Sequence, residues 1–123
     1  MHVLLIDDCR LDRRLICRLL KQTDFPIDVT EAQDAFAALD LLKDATFDCI
    51  LVDQRMPGII GTEFIRALRS MESETRTPIL MLTGEDAPFL TVKEALDAGG
   101  DLFVGKNDLS ADKLIAALLS FTT

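Results

Sequence analysis

The chain has 123 residues, enough for one domain with a proper core and too few for two ordinary domains. Hydrophobic residues make up 49% and charged residues 28%, and the formal net charge of -8 argues against nucleic-acid binding, which needs a basic surface. No apolar run is long enough to span a membrane, and the opening MHVLLIDDCR is no signal peptide, because its short apolar run ends in two aspartates.

Five apolar runs alternate with five segments of helical period, with no linker, repeat or low-complexity tract between them. HVLLID opens the chain as a strand. A helix over 10–22 follows, in which Leu11, Leu15 and Leu19 recur every four residues, the spacing of one helix face. IDVTEA alternates more than the other runs and belongs near a sheet edge. A second helix is read over 33–44. FDCILVD is rich in Ile, Leu and Val and reads as central, and a helix over 60–72 buries Thr62, Phe64, Ile65 and Leu68. PILMLTG, also central, precedes a helix over 87–98, with Pro88 in a tolerated first-turn position and Gly99 and Gly100 ending it. DLFVGK is the last strand. The final helix, over 110–121, has Ser110 as N-cap, Asp112 in its first turn and Leu114, Leu118 and Phe121 on one stripe.

Strict alternation of strand and helix implies an α/β fold: a doubly wound five-stranded parallel sheet, flavodoxin-like (βα)5, as a single domain over 1–123. The expected strand order is 2-1-3-4-5. Strands 1 and 3 are then neighbours at the switch point, where ligands bind beyond the strand C-termini. The residues ending the strands there are Asp7 and Asp8, Asp53, Thr83 followed by Gly84, and Lys106. Two carboxylates about 4 Å apart repel by about 4 kcal/mol at an effective dielectric near 20, so three need cations. Lys106 supplies one charge. All-oxygen ligands, with no His or Cys suitably placed, favour Mg²⁺, or Mn²⁺ in its place, over zinc. An aspartate, a hard divalent cation, a lysine and a threonine hydroxyl are parts suited to phosphoryl transfer.

Four elements in order carry a family resemblance: the DD at 7–8, DQRMPGIIG from 53 to 61, LTG at 82–84 and AGGDLFVGK from 98 to 106. With them the chain resembles, from end to end, the receiver domains of bacterial two-component response regulators. The resemblance implies that Asp53 accepts a phosphoryl group. It implies that Asp8 binds Mg²⁺ directly, that Asp7 helps through water, and that Asp53 and the backbone carbonyl of Arg55 complete the ligands. Thr83 and Lys106 would hold the phosphoryl oxygens, and Phe103 occupies the switch-aromatic position, whose ring turns inward as the threonine moves. Arg55 and Glu85, of opposite charge, are expected at the mouth of the site. Two departures stand out. Asn107 replaces the usual proline after the lysine, removing the basis for a cis peptide there, and Phe103 replaces the commoner tyrosine.

Met56 and Pro57 read as loop-shaping residues and His2 as a surface residue. His2 is the only histidine, so the phosphodonor must be another molecule: a histidine kinase, a histidine phosphotransfer protein or a small phosphodonor. Arg10, Arg13, Arg14, Arg18 and Lys21 crowd the first helix, either as a solvated face or as a docking surface for an acidic partner. Cys9, Cys17 and Cys49 form no CxxC pair, which reads as a reduced, cytoplasmic thiol state with Cys17 and Cys49 as small core hydrophobes. The expected function is a signalling switch, not a metabolic enzyme, with self-phosphorylation and autodephosphorylation as its only chemistry. It would act on a downstream effector protein or domain, the chain being either a single-domain regulator or a fragment of a larger protein. The alternatives are an aspartyl-phosphate phosphatase of haloacid-dehalogenase type, which calls for an Asp-x-Asp pair absent here, and a receiver-like interaction module that is not phosphorylated. An FMN carrier is disfavoured because DDCRLD would repel a phosphate.

Overall fold

The computed structural model describes residues 1–73, 75–83 and 92–121. Five strands, β1 (His2–Ile6), β2 (Asp28–Ala32), β3 (Cys49–Asp53), β4 (Ile79–Thr83) and β5 (Leu102–Gly105), alternate with α1 (Arg10–Lys21), α2 (Ala35–Asp44), α3 (Gly61–Met71), α4 (Val92–Ala98) and α5 (Ala111–Ser120). All strand pairs are parallel and the order is β2-β1-β3-β4-β5, as the alternation implied. Every residue of β3 and β4 is buried, while β2 stands at an edge with only Ala32 buried. Gly84, Glu85 and Pro88 lie outside the described residues.

Alternate strand residues feed two cores, as expected for a sheet covered on both faces. Leu4, Ile6, Ile50, Val52, Ile79 and Met81 pack against Ala35 and Ala38 of α2, Phe64, Ile65 and Leu68 of α3, and Ala95 and Ala98 of α4. Val3, Leu5, Cys49, Leu51, Leu80 and Leu82 pack against Ile16 and Leu20 of α1 and Leu114 and Leu118 of α5. Burial, with help from the charges of Asp101 and Asp48, pushes the Cys49 thiol up to about 12, so it is an inert core residue. Cys17 is only half-buried against the second core.

The first helix corrects the sequence reading. Leu11 is 75% exposed and Leu15 is 48% exposed; the residues facing the sheet are Ile16 and Leu20. A four-residue repeat fits both 11–15–19 and 12–16–20, and the second set was masked because its first member, Asp12, is charged. His2 also differs from expectation. Its ring packs against Phe47 at 4.5 Å and its Nε2 lies 2.8 Å from Thr30 Oγ1, tying β1 to β2. Met56 does more than shape a loop: it is buried within the first core.

Three local devices set the helix ends. Ser110 accepts the Lys113 N–H at 3.2 Å as the N-cap of α5, and Asp34 accepts the Ala37 N–H at 2.7 Å for α2. The α3 N-cap is Ile60, whose side chain has no acceptor to offer. Gln54, just after β3, takes over. Its Oε1 accepts the Thr62 N–H and its carbonyl accepts the Gly61 N–H, both at 2.9 Å. At the far pole, Gly99 ends α4 with φ at 110°. Arg69 of α3 donates to the Gly99 carbonyl through Nε at 3.0 Å and Nη2 at 2.8 Å, and to the Thr77 carbonyl at 2.8 Å. It also pairs with Glu72 and Asp101. Asp101 in turn accepts the Ile79 N–H and pairs with Arg76.

Gly61 is where the loop after β3 returns against the strand. A Cβ there would lie 2.7 Å from the Asp53 carbonyl oxygen and 2.9 Å from Gln54 Cα, backbone atoms that cannot swing aside. Gly61→Ala is therefore expected to cost about 1–3 kcal/mol, the usual range for overpacking, despite alanine's better helix propensity. Urea unfolding of the variant checks this.

Candidate functional site

The register places the site. Ile6 sits beside Val52 and Asp53 beside Leu82, so Asp7, Asp53 and Thr83 emerge at one level on the C-terminal edge of the sheet. Thr83 pairs with Gly105, which brings the next residue, Lys106, to the same edge. Asp7, Asp53 and Thr83 are buried and Asp8 is exposed. A carboxylate oxygen from each of Asp7, Asp8 and Asp53 lies within 4.8 Å of the others.

Lys106 organises this edge. Its Nζ lies 2.8 Å from Asp7 Oδ2, 2.8 Å from Asp12 Oδ2 and 3.3 Å from Asp53 Oδ2. Burial alone would lower its ammonium, but the hydrogen bonds to Asp12 and Asp7 and the charges of Asp53 and Asp7 raise it, so it stays charged. The second oxygen of Asp7 accepts the Cys9 N–H at 2.9 Å, which leaves this fully buried carboxylate with both oxygens engaged. Burial, followed by the charge of Asp7, pushes the Asp53 carboxyl up to about 6, and Lys106 and a backbone hydrogen bond from Arg55 oppose the rise only in part. The donors are all carboxylate oxygens, and one ammonium faces several of them. That set fits a hard divalent cation such as Mg²⁺.

The sequence missed Asp12. The signal was present: Asp12 stands four residues before Ile16, on the stripe of α1 that faces the sheet. Arg13 also has a different part from the one read. Its Nη1 donates to the Asp7 carbonyl at 2.7 Å and its Nε pairs with Glu31 at 3.1 Å, so it ties the ends of β1 and β2 and is not a docking charge. Phe103 is half-buried against the α3–α4 core. The Lys106–Asn107 peptide is trans and opens a short 3₁₀ turn, Lys106–Asp108. Arg55 is exposed at the loop after β3, and Glu85, its expected counterpart, lies outside the described residues.

Residues 3–119 match the family described as the response regulator receiver domain. The chain belongs to the response regulator receiver family. It is 37% identical over 106 residues to the chemotaxis protein CheY of Pseudomonas aeruginosa, covering 86% of this chain and 84% of that protein. It is 35% identical over 119 residues to the probable transcriptional regulatory protein NarL of Mycobacterium tuberculosis, of which it spans 53%. Among solved structures, the chemotaxis response regulator CheY4 of Vibrio cholerae superposes with a TM-score of 0.82 at 31% identity, over 98% of this chain and 97% of that one. Receiver domains are the phospho-accepting switches of two-component signalling, not classical enzymes. They bind Mg²⁺ at an acidic cluster of the kind Asp7, Asp8 and Asp53 form. No helix among the described residues is long and apolar enough to cross a membrane.

The raised Asp53 carboxyl has a measurable consequence for stability. An acid with a folded pKa near 6, against 3.8 ordinarily, binds its proton more tightly when folded, so it lowers stability as pH rises from about 4 to about 6. Asp53→Asn escapes that loss. In EDTA, the variant should match the wild type near pH 4 and exceed it by about 2–3 kcal/mol at pH 7. Chemical unfolding at the two pH values checks both the sign and the window.

Proposed function

We propose that the chain, as one receiver domain over 1–123, takes a phosphoryl group onto Asp53 from a phosphohistidine of a histidine kinase or phosphotransfer protein. The observation that carries this is the Lys106 ammonium held 3.3 Å from the buried Asp53 carboxylate. A carboxylate oxygen of Asp53 attacks phosphorus, the P–N bond of the donor breaks, and the imidazole leaves with the electron pair. Lys106 stays beside the new phosphoryl oxygens, and Thr83, one residue past the β4 partner of Asp53, offers a hydroxyl to them. In the reverse sense, water attacks phosphorus, the bond to Asp53 breaks, and the carboxylate is restored as phosphate departs with the proton.

Asp8, Asp53 and the Arg55 carbonyl would hold Mg²⁺, with Asp7 assisting through water. When bound, Mg²⁺ or Mn²⁺ supplies charge neutralisation among the carboxylates and phosphoryl oxygens. The occupied oxygens of Asp7 support giving Asp8 the direct role. Phe103, half-buried beside α4, is assigned as the switch aromatic that answers movement of Thr83. Three free thiols suit a cytoplasmic setting.

The exposed face of α1 supports a docking role. Leu11 and Leu15 are its apolar centre, and Arg10, Arg14 and Arg18 flank them, a pattern suited to the apolar core and charged rim of an interface with a donor helix.

Acetyl phosphate with Mg²⁺ should add one phosphoryl group to the intact mass, and Asp53→Asn should abolish it; full labelling of that variant would sink the assignment. Lys106→Ala should leave Mg²⁺ affinity largely intact while impairing the phosphorylation-driven conformational change, whereas Asp8→Ala should weaken the metal first. Mg²⁺ titration by calorimetry, with NMR of the phosphorylated forms, separates the two roles. For docking, the double variant Leu11→Ala, Leu15→Ala should slow transfer from a phosphorylated histidine phosphotransfer domain by about tenfold, roughly 1.4 kcal/mol, and leave labelling by acetyl phosphate unchanged. Stopped-flow transfer assays distinguish this from a defect in the site itself.

A further inference from the structure

Three carboxylates share the Lys106 ammonium, and only two of them, Asp7 and Asp53, belong to the strand ends. The third, Asp12, comes from the first turn of α1 at 2.8 Å, closer than Asp53 at 3.3 Å. An ammonium has three N–H groups: Asp7 and Asp12 each accept one, and the ammonium meets Asp53 as an ion pair. A phosphoryl group on Asp53 takes over the N–H that faces Asp53, and its further anionic oxygens compete with Asp7 and Asp12 for the other two.

The surroundings decide which partner yields. Asp7 is fully buried and its second oxygen is fixed by the Cys9 N–H, so its side chain cannot turn out into solvent. The Asp12 side chain is 41% exposed and can turn to solvent at little cost. Its position is nonetheless built: it lies on the same helix stripe as the buried Ile16 and Leu20, which anchor α1 to the sheet. We propose that Asp12 is a positioning residue that holds Lys106 against the first turn of α1 in the unphosphorylated protein, and that phosphorylation draws Lys106 off it.

This rests on Asp53 being the phosphoryl acceptor, and it deepens that reading. Asp12 lowers the occupancy of the phosphorylated state by competing for Lys106. It also links that state to the helix whose outer face carries Leu11 and Leu15. Asp12→Asn removes the negative charge that holds Lys106 and so weakens the competitor of the phosphoryl oxygens. From the strength of partly exposed ion pairs, the phosphorylated fraction at subsaturating acetyl phosphate and Mg²⁺ should rise about two- to fivefold.

The test uses the whole chain as wild type, Asp12→Asn, Lys106→Met and the double variant, with Asp12→Ser as a second uncharged replacement. In metal-free, unphosphorylated protein, solvent exchange of the Lys106 ammonium is read by ¹⁵N NMR. It should be at least about fivefold faster in Asp12→Asn and Asp12→Ser than in the wild type. With acetyl phosphate and Mg²⁺, the phosphorylated fraction should rise in Asp12→Asn and stay level when the same change is made on Lys106→Met. Unchanged ammonium exchange overturns the proposal. So does an equal rise in both backgrounds, which would mark a general effect of charge on the site. Should the wild type take no phosphoryl group at all, the acceptor reading fails, while the exchange measurement still decides whether Asp12 holds Lys106.

Discussion

At the C-terminal edge of the sheet, one ammonium stands 2.8, 2.8 and 3.3 Å from three carboxylates, and a fourth, Asp8, lies close by. Like charges gathered this way repel by several kcal/mol at the effective dielectric of a protein rim. Without Lys106, burying Asp7 completely would leave a charge with no counterion, a cost of several kcal/mol. Lys106 offsets part of that repulsion, and tension remains because its one ammonium is shared among three carboxylates. Asp53, pushed up to about 6, bears that tension most visibly. An edge with surplus negative charge is suited to receive a cation and an electrophilic phosphorus.

The rest of the fold serves to keep that edge in place. Parallel registry sets the strand ends level, and continuous burial of β3 and β4 keeps them from sliding. The loop after Asp53 is then turned back hard. Gly61 permits backbone to lie on backbone, and Gln54 serves as the cap that Ile60 cannot be. The Asp53 carboxylate therefore has a fixed chain on both sides of it.

Much of this was legible in the residues. Runs such as CILVD and ILMLT match strands buried on both faces, and their order followed from alternation and handedness. The residues at their ends were expected to converge, and Asp7, Asp8, Asp53 and Lys106 do lie together at one edge. What stayed hidden has a common cause: one-dimensional spacing does not say which of two equivalent faces turns inward. In α1 the leucines at 11 and 15 looked like core, while the true inward stripe began with a charge, so Asp12 went unread. Arg13 and His2 looked like surface because their partners, Glu31 and Thr30, are adjacent only across the sheet. Gln54 gave no capping signal, since it caps a helix that starts several residues later in the chain.

The opposite pole carries a consequence for how a change at the site can travel. Arg69 grips the carbonyl of Gly99 with two nitrogens, and Asp101 fastens the same corner to β4 through the Ile79 N–H. Gly99 has no room for even a methyl group against Arg69. The C-terminal end of α4 is thus pinned to α3 and β4. A helix fixed at one end cannot slide along the sheet; it can only pivot. Any displacement that acts on α4 would therefore move it as a lever, with the stroke largest at the end away from the pin.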